Sequence, residues 1–311
     1  MKSVPMRDGY GQALLELCEK DPKVIVLDAD VANSTRTVWI RDKYPEQFID
    51  MGIAEQDMVG TAAGLAMGGM IPFISTYCVF LAGRAWDQIR TTVCYNDLNV
   101  KFGGAHAGIS VGPDGATHQA LEDIALTRVL PNMTVIVPCD AEETRKATLA
   151  AAGIEGPCFV RFGREAVPVV TDEDTPFEVG KVRNVREGKD VTIVACGSLV
   201  YQAQAAAEKL CAEGIDAAVL DCHTIKPLDE ESIISAAKKT GCIVTAEEHQ
   251  INGGLGGAVA ECLARKYPVP MEMVAVQDSF GESGKAEELM QKYGLDADAI
   301  IEKVKLVLAR K

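Results

Sequence analysis

Short apolar runs alternate with longer amphipathic segments along most of the 311-residue chain. The runs are rich in Val and Ile, as in VIVLDAD (24–30) and VTIVACG (191–197), which is typical of strands buried on both faces of a sheet. Apolar residues at helical spacing follow most runs. The pattern predicts, for example, helices over 81–94 and 118–129 and a strand over 217–223. Such alternation favours βαβ units, so the expected fold class is α/β with open, mostly parallel sheets.

The alternation breaks once, over residues 164–188. This stretch has two prolines, mixed charge and no helical period, which favours a linker that leads into a strand. A length of 311 residues is also enough for about two domains, each with its own core. We therefore expect two tandem open α/β domains, at 1–170 and 189–311, joined by a linker at 171–188.

Charge and cysteine content narrow the class of protein. The 45 Asp and Glu residues outnumber the 31 Lys and Arg residues, and the resulting net charge of −14 repels nucleic acid and anionic lipid. No apolar run approaches the roughly 20 residues of a membrane span, and the first residues lack the basic-then-apolar layout of a signal peptide. The ten cysteines are scattered without a CxxC pair, as expected of reduced core thiols. We expect a cytoplasmic protein that binds neither nucleic acid nor membrane.

Candidate ligand residues follow the strands, because open α/β sheets bind ligands beyond the carboxyl ends of their strands. Glu55 lies in the first turn of a predicted helix, within GIAEQDM. A carboxylate there can simply interact with the helix dipole. Apolar neighbours such as Ile53 and Met58 would also leave it poorly hydrated, and such a carboxyl group can hold or share a proton near neutral pH. Position alone leaves both interpretations open.

A glycine-rich loop carries two of the four histidines, His106 and His118, together with Asp114. A metal site is disfavoured, because no HxxxH pair fixes two ligands on one helix face and glycine-rich backbone holds ligand geometry poorly. A plain polar loop is a second interpretation. We favour a third, a substrate-facing loop, in which glycines allow close backbone approach and imidazoles address hydroxyl or phosphate groups.

Basic and aromatic side chains near the strand ends have two interpretations each. Two guanidinium groups that converge would bind a phosphate bidentately, but each arginine alone is a typical solvated residue. The arginines in question are Arg7, Arg84, Arg90, Arg161 and Arg164. Phe73, Tyr77 and Phe80 form either part of the core or a stacking wall for a flat ring. The glycines of QINGGLGGA (250–258) do not spell GxGxxG and favour close packing instead.

Seven segments together resemble the transketolase family over essentially the whole chain, and they occur in the family's order. The segments are LDADVANST, GIAEQDM, IPFISTYCVFLAGRAWDQI, GAHAGISVGPDGATHQALED, PNMTVIVPCDAEE, FVRFGRE and DCHTIKPLD. The resemblance covers the family's pyrimidine-binding domain followed by its C-terminal domain. It is closest to the C-terminal half-chain of split transketolases, in which two genes encode what is elsewhere one polypeptide.

The resemblance implies thiamine diphosphate as cofactor and a role for each matching residue. Glu55 matches the glutamate that hydrogen-bonds a pyrimidine nitrogen, and sharing a proton there activates the cofactor. Tyr77, with Phe73 and Phe80 nearby, matches the wall on which the aminopyrimidine stacks, although the family commonly has Phe at the position of Tyr77. Asp30 matches an aspartate near the thiamine linker. The implied sugar-binding residues are His106, Asp114 and His118, both histidines also being catalytic, and the implied phosphate-binding residues are Arg7, Ser34 and Arg164.

One departure from the family sets the expected assembly. The family holds Mg²⁺ and the diphosphate through a GDG motif, and no GDG occurs in this chain. The resemblance therefore implies an N-terminal transketolase subunit that carries the diphosphate and Mg²⁺ site, and self-association into an α2β2 assembly. The implied activity is transfer of a two-carbon ketol unit between sugar phosphates, in the pentose phosphate pathway.

Three alternatives remain. Deoxyxylulose-phosphate synthase typically has Asp-Arg-Ala-Gly where this chain has Ala-His-Ala-Gly at 105–108, and it carries its diphosphate domain in the same chain. A 2-oxoacid dehydrogenase β-subunit, as in pyruvate dehydrogenase, has the same two-domain size but typically His-Ser-Gln in place of Thr-His-Gln at 117–119. A regulatory thiamine-binding subunit would have kept the fold without catalysis, and the presence of Glu55, His106 and His118 argues against it.

Overall fold

The computed structural model describes residues 2–311, which form two α/β units in tandem. The helices are α1 Met6–Lys20, α2 Ala32–Thr35, α3 Val38–Lys43, α4 Glu55–Met67, α5 Cys78–Arg84, α6 Asp123–Arg128, α7 Ala141–Ala152, α8 Leu199–Ala212, α9 Glu230–Thr240, α10 Leu255–Lys266, α11 Ala286–Lys292 and α12 Ala297–Leu308. The strands are β1 Ser3–Pro5, β2 Val24–Asp28, β3 Phe48–Asp50, β4 Ile71–Tyr77, β5 Lys101–Ala105, β6 Thr134–Ile136, β7 Cys158–Arg161, β8 Ala166–Pro168, β9 Arg183–Arg186, β10 Val191–Ala195, β11 Ala217–Asp221, β12 Thr224–Lys226, β13 Ile243–Gln250 and β14 Met271–Val276. A π-helix spans Gln88–Cys94, and 3₁₀ segments span Pro45–Gln47 and Ile109–Asp114.

Two mostly parallel sheets organise these elements. The first has the strand order β12-β6-β7-β5-β4-β2-β3, and the second has the order β14-β13-β10-β11-β9. One edge strand of each sheet is antiparallel, β12 against β6 and β9 against β11, and the other pairings are parallel. Strands β1 and β8 form a small antiparallel pair. The expected α/β class with open, mostly parallel sheets is confirmed.

Helices cover the sheets so well that every residue of the central strands β5 and β10 is buried. Phe102 stacks on Phe159 in one cluster of apolar side chains, and Tyr10 stacks on Phe162 in another. Nine of the ten cysteines are buried and all ten are unpaired, in agreement with the expected core thiols. No helix within residues 2–311 is both long and apolar enough to cross a membrane.

The glycine run at 250–258 lies at the start of α10 and packs closely, as expected. A Cβ atom on Gly254 would lie 2.0 Å from Oε2 of Glu247, and one on Gly256 would lie 2.9 Å from Sδ of Met273. Gly254 therefore requires glycine, because the carboxylate beside it is fixed by the backbone N–H groups of Leu255 and Gly256.

Two predicted helices are shorter than expected. The helix expected over 118–129 is reduced to α6, because Ala120 instead forms an isolated bridge with Ala107, and its carbonyl accepts the backbone N–H of Gly108 at 2.9 Å. The helix expected over 81–94 is divided. The side-chain amide of Gln56 donates to the backbone carbonyl of Arg84 at 3.0 Å at the end of α5, and the π-helix begins four residues later.

The strand expected over 217–223 is shorter than expected, and the short strand that follows it lies in the other sheet. Strand β11 ends at Asp221, and β12 then crosses to the first sheet, where it pairs with β6. Residues 224–226 therefore belong by sequence to the expected second domain, 189–311, but they form an edge strand of the first domain's sheet. The expected linker at 171–188 contains β9, an edge strand of the second sheet. The two domains are interlocked, and their boundaries at 170 and 189 stay predictions.

A buried pair of carboxyl groups lies where α7 of the first domain meets β11 of the second. Oε2 of Glu143 accepts the backbone N–H of Cys139 at 2.7 Å, and the guanidinium of Arg183 donates to Oδ2 of Asp221 at 2.8 Å. Within residues 2–311 no group donates to the buried oxygens Glu143 Oε1 and Asp221 Oδ1. Burial, and then the charge of Asp221, raise the pKa of Glu143 well above its ordinary value. Because a raised pKa favours the protonated form, a proton shared between Glu143 and Asp221 would satisfy both of these oxygens.

Glu143→Gln should weaken the pH dependence of stability. A carboxyl group whose pKa is raised by folding stabilises the native state at low pH. That contribution is lost as the pH rises through the folded-state pKa, by about 1.4 kcal/mol per pH unit for one proton. The glutamine amide can donate to Asp221 without titrating. Urea unfolding at pH values from the ordinary glutamate pKa of about 4.3 upward should show this slope in the unaltered chain and a flatter one in the variant.

Glu231, exposed on α9, offers a matched control, because Glu231→Gln removes a carboxyl group that contacts no ion-pair partner among residues 2–311. This control should keep the pH-dependent slope of the unaltered chain. Equal slopes for the unaltered chain and Glu143→Gln would contradict a proton shared between Glu143 and Asp221.

Candidate active site

The carboxyl ends of three neighbouring parallel strands meet at one edge of the first sheet. Strands β2, β4 and β5 are adjacent. Asp30 follows the first of them, Tyr77 ends the second, and His106 directly follows the third. Glu55 begins α4, the helix that follows the edge strand β3. Because parallel strands end on the same side, residues far apart in sequence line one crevice.

Four ring side chains form a cluster in this crevice. The ring centroid of Tyr77 lies 4.3 Å from that of His106 and 5.9 Å from that of His118. The ring of Phe80 lies 5.2 Å from His118. Phe73 does not join them, because it is 1% exposed, belongs to the core, and lies four residues, or about 13 Å, before Tyr77 on β4. We therefore leave Phe73 out of the candidate site.

Glu55 is 1% exposed, which agrees with the expected poor hydration of its carboxyl group. Its counter-ion is Arg84, whose Nη1 lies 2.6 Å from Oε2 of Glu55. The guanidinium of Arg84 also lies over the ring of Phe80, 4.6 Å from its centroid. In the sequence, Arg84 is one of several helical arginines, and no local pattern connects it with a carboxylate 29 residues away. The carboxylate thus has both a charge partner and a link to the ring cluster.

His106 is a neutral base inside the crevice. It has a φ of 56°, is 2% exposed, and its Nδ1 has no hydrogen-bond partner within residues 2–311. Burial, followed by the charges of Arg7 and Arg164, lowers the pKa of His106 to about 3. A left-handed backbone conformation is strained for a residue other than glycine, and such strain is typical of functional sites. The ring therefore offers an unused polar atom without bringing a charge.

The second domain holds the glycine-rich loop in place. Oε1 of Glu248, near the end of β13, accepts the backbone N–H of Ser110 at 2.6 Å. Gly108 allows this approach, since a Cβ there would lie 2.2 Å from the same oxygen. The side-chain amide of Gln119 donates to the carbonyl of Glu282 at 2.9 Å. Glu248 was not identified from the sequence, where its only signal is a position at the acidic end of a predicted strand.

Arg7 and Arg164 lie near each other beside the crevice, and their role as phosphate ligands stays a prediction. Arg7 donates to the carbonyl of Ser34 at 3.2 Å, and Nη1 of Arg164 lies 3.3 Å from Oδ1 of Asp114. Burial, then the charge of Arg36, and more weakly that of Arg164, lower the pKa of Arg7. Arg36 is a third guanidinium of this group and was not identified from the sequence. The arrangement concentrates positive charge in an otherwise acidic chain.

The other arginines considered above lie elsewhere. Arg161 is buried, with its Nε 2.6 Å from Oδ2 of Asp123, and its Nη2 donates to the carbonyl of Glu248 at 2.9 Å. It therefore joins the two domains and is not free to bind a ligand. Arg90 is exposed on the π-helix, without an ion pair among the described residues.

The loop after β2 carries Asp30 and Ser34 and is anchored by Asp28. The hydroxyl of Thr35 donates to Oδ2 of Asp28 at 2.7 Å, and burial raises the pKa of Asp28 to about 6. The hydroxyl of Tyr77 donates to Oγ of Ser34 at 3.1 Å. Asp30, Ser34 and Tyr77 line a cavity of about 270 Å³. The loop thus joins the ring cluster to the arginine group.

Comparison with known proteins identifies the family. Residues 2–170 match the family model of the transketolase pyrimidine binding domain, and residues 180–300 match that of the transketolase C-terminal domain. The chain therefore belongs to the transketolase family.

Several relatives have the same extent as this chain. It is 45% identical over 302 residues to a protein of Methanocaldococcus jannaschii described as a transketolase C-terminal section, with 96% of this chain and 95% of that one covered. It is 42% identical over 306 residues to a 6-deoxy-6-sulfo-D-fructose transketolase subunit of Clostridium sp. (strain MSTE9), with 98% and 95% covered. A solved split-gene transketolase, an inactive β4 tetramer, has a TM-score of 0.91 and 48% identity with 99% of each chain covered. The chain is thus a transketolase-family C-terminal subunit of the split type.

The imidazole of His106 should not titrate between mildly acidic and alkaline pH. Its folded-state pKa of about 3 keeps the ring neutral throughout that range. Since an unfolded histidine has a pKa of about 6.5, the native state binds fewer protons. The histidine's contribution to stability is present above that value and lost as the pH falls toward the folded-state value. Ring ¹H–¹⁵N NMR, assigned with His106→Gln, measures this. A midpoint near the ordinary histidine pKa would contradict the neutral buried ring.

Proposed function

We propose that this chain is the C-terminal subunit of a thiamine-diphosphate-dependent transketolase. The reaction transfers a two-carbon ketol unit from a ketose phosphate to an aldose phosphate, in the pentose phosphate pathway of the cytoplasm. The observation that carries the proposal is the buried carboxylate of Glu55, connected through Arg84 to a cluster of rings at the strand ends. The family match, and the extent shared with the Methanocaldococcus relative, support it.

The residues of the crevice fit the aminopyrimidine end of thiamine diphosphate. Tyr77 offers a half-buried ring face for stacking, and Nδ1 of His106 lacks a partner within residues 2–311. Oε2 of Glu55 accepts a hydrogen bond from Arg84, which leaves Oε1 to interact with a ring nitrogen. When bound, the cofactor supplies the carbon nucleophile and the electron sink needed to break a carbon–carbon bond. Glu55 would hold a proton at the pyrimidine nitrogen, and Asp30 would contact the linker of the cofactor.

An N-terminal partner subunit supplies the diphosphate and Mg²⁺ site in this proposal. The chain has no GDG motif. Within residues 2–311 the one close group of potential metal ligands is Cys139, Glu143 and Asp221. The guanidinium of Arg183 already contacts Asp221 of this group. The thiol of Cys139 also does not suit Mg²⁺, which prefers oxygen ligands and several waters. An α2β2 assembly would complete the site, and the inactive β4 form of the similar split-gene transketolase supports a need for the partner.

Sugar phosphates are the proposed substrates. The proposed phosphate ligands are Arg7, Ser34 and Arg164, and the groups proposed for the sugar hydroxyls and carbonyl are His106, Asp114 and His118. Guanidinium groups bind a tetrahedral anion bidentately, so they suit the phosphate end. The Clostridium relative is named for 6-deoxy-6-sulfo-D-fructose, whose sulfonate is also anionic. Parallel assays with phosphate and sulfonate sugars distinguish the two substrate classes.

Reconstitution tests the proposal. The chain, co-purified with a GDG-bearing subunit from the same source, should transfer ketol units with thiamine diphosphate and Mg²⁺, whereas the chain alone should not.

Glu55→Gln should keep the complex intact and lower kcat by at least about 100-fold, the usual scale of a lost proton-transfer role. Near-normal turnover in this variant would remove Glu55 from the mechanism. Turnover by the isolated chain would contradict the divided site.

Arg164→Ala should raise KM for phosphorylated sugars about tenfold with little change in kcat, as expected when binding of ground and transition state is weakened equally. The side chain of Arg164 is 31% exposed in its contact with Asp114, so its loss should not disturb the fold. KM values for a phosphorylated sugar and its unphosphorylated counterpart measure the effect. Only the KM for the phosphorylated sugar should rise. If neither KM changes, the phosphate binds elsewhere.

A further inference from the structure

We propose that Arg84 is a positioning residue, which orients the carboxylate of Glu55 and ties it to the ring cluster. The inference rests on the proposed function, because it concerns Glu55 as the proton partner of the cofactor. Arg84 itself touches neither cofactor nor substrate in this proposal. It acts through one ion pair and one stacking contact.

Three contacts hold Arg84 in a single place. Its Nη1 lies 2.6 Å from Oε2 of Glu55, and its guanidinium lies 4.6 Å from the ring centroid of Phe80. Its backbone carbonyl accepts the side-chain amide of Gln56 at 3.0 Å. Glu55 and Gln56 are the first residues of α4, and Arg84 is the last residue of α5. The start of one helix is therefore fastened to the end of the other at the crevice.

The burial of the two partners is unequal. Glu55 is 1% exposed, whereas the side chain of Arg84 is 45% exposed, so the arginine reaches in from the rim toward a carboxylate that water barely touches. A buried carboxylate without a counter-ion is costly, and apolar residues in place of such a pair are often no less stable. Stability alone therefore does not account for the pair. A chemical use of the carboxylate does.

The geometry divides the work between the two oxygens of Glu55. Oε2 is taken by Arg84, and within residues 2–311 no group hydrogen-bonds to Oε1, which is left for a ring nitrogen. The ion pair fixes the orientation of the carboxylate group, so the position of Oε1 relative to the ring cluster is fixed as well. Lysine would supply the charge, but not the flat fork that stacks on Phe80 while it binds the carboxylate.

Other charged groups near Glu55 are fewer and less well placed. On the elements packed against α4, Asp28 of β2 is buried and engaged by hydroxyl groups, and Arg90 of the π-helix is exposed. Asp57, on α4 itself, is exposed. Arg84 is the one cation within ion-pair distance of Glu55 among residues 2–311.

A double-mutant cycle on the chain alone tests the ion pair. Thermal unfolding is measured for the unaltered chain, Arg84→Gln, Glu55→Gln and the double variant. Arg84→Gln should lower Tm clearly more in the presence of Glu55 than in the Glu55→Gln background, because only the former leaves a buried carboxylate unpaired. Arg90→Gln is the matched control and should leave Tm unchanged. Equal Tm losses in the two backgrounds would overturn the proposal.

Cofactor binding by the complex with the partner subunit tests the positioning role. Arg84→Gln should raise the thiamine diphosphate dissociation constant, measured by calorimetry, at least about tenfold, and should lower kcat at saturating cofactor at least about tenfold, because a misplaced carboxylate no longer meets the ring nitrogen. Arg84→Lys should restore Tm but neither the cofactor affinity nor kcat. A merely structural role would lower Tm without changing the dissociation constant or kcat at saturating cofactor.

The outcomes separate this inference from the proposed function. An unchanged kcat and an unchanged dissociation constant in Arg84→Gln, with an active unaltered complex, overturn the role of Arg84 alone. An unaltered complex that neither binds thiamine diphosphate nor turns over sugars overturns the proposed function, and the inference falls with it. If Arg84→Gln does not fold, Arg84→Lys carries the test, because it keeps the charge and loses only the fork and the stacking contact.

Discussion

Parallel strands that end at one edge of the first sheet impose the geometry of the site. Because β2, β4 and β5 are adjacent and run in the same direction, Asp30, Tyr77 and His106 arrive at one place from three distant parts of the sequence. The register leaves little freedom, since Tyr77 pairs with Ala105, the residue directly before His106. The remaining properties of the crevice depend on which helices and loops close over this edge.

The second domain closes that edge, and the two domains act as one body at the site. Arg161, paired with Asp123 in the first domain, donates to the carbonyl of Glu248 in the second, and the carboxylate of Glu248 in turn holds the backbone of Ser110. Buried charges of this kind contribute little net stability compared with apolar packing, but unpaired they are costly, so they define which surfaces fit together. Strand β12 adds a backbone link between the domains.

The fold could be predicted from the sequence because strand and helix periodicity are local, whereas the electrostatics of the site could not. Arg84 lies 29 residues from Glu55, and Glu248 lies 138 residues from Ser110. Both Arg and Glu are far more often solvated surface groups than fixed partners. The place of Phe73 could not be predicted either, for a different reason. An apolar ring in a strand is compatible with the core and with a stacking wall, and only the position of Phe73 along β4 shows that it belongs to the core. Strand β12 is too short to have a period of its own.

Charge in this chain is organised locally, against its net value of −14. Arg7, Arg36 and Arg164 lie beside a neutral His106. Arg36 and Arg164 each have a partly exposed carboxylate partner, at 2.6 and 3.3 Å respectively. Water screens such partly exposed pairs, so an entering anion exchanges weak contacts for direct ones. A charged imidazole beside three guanidinium groups would repel them, whereas a neutral one serves as donor or acceptor. On the proposed function, this group of arginines gives a sugar phosphate a local site of positive charge in an otherwise acidic chain.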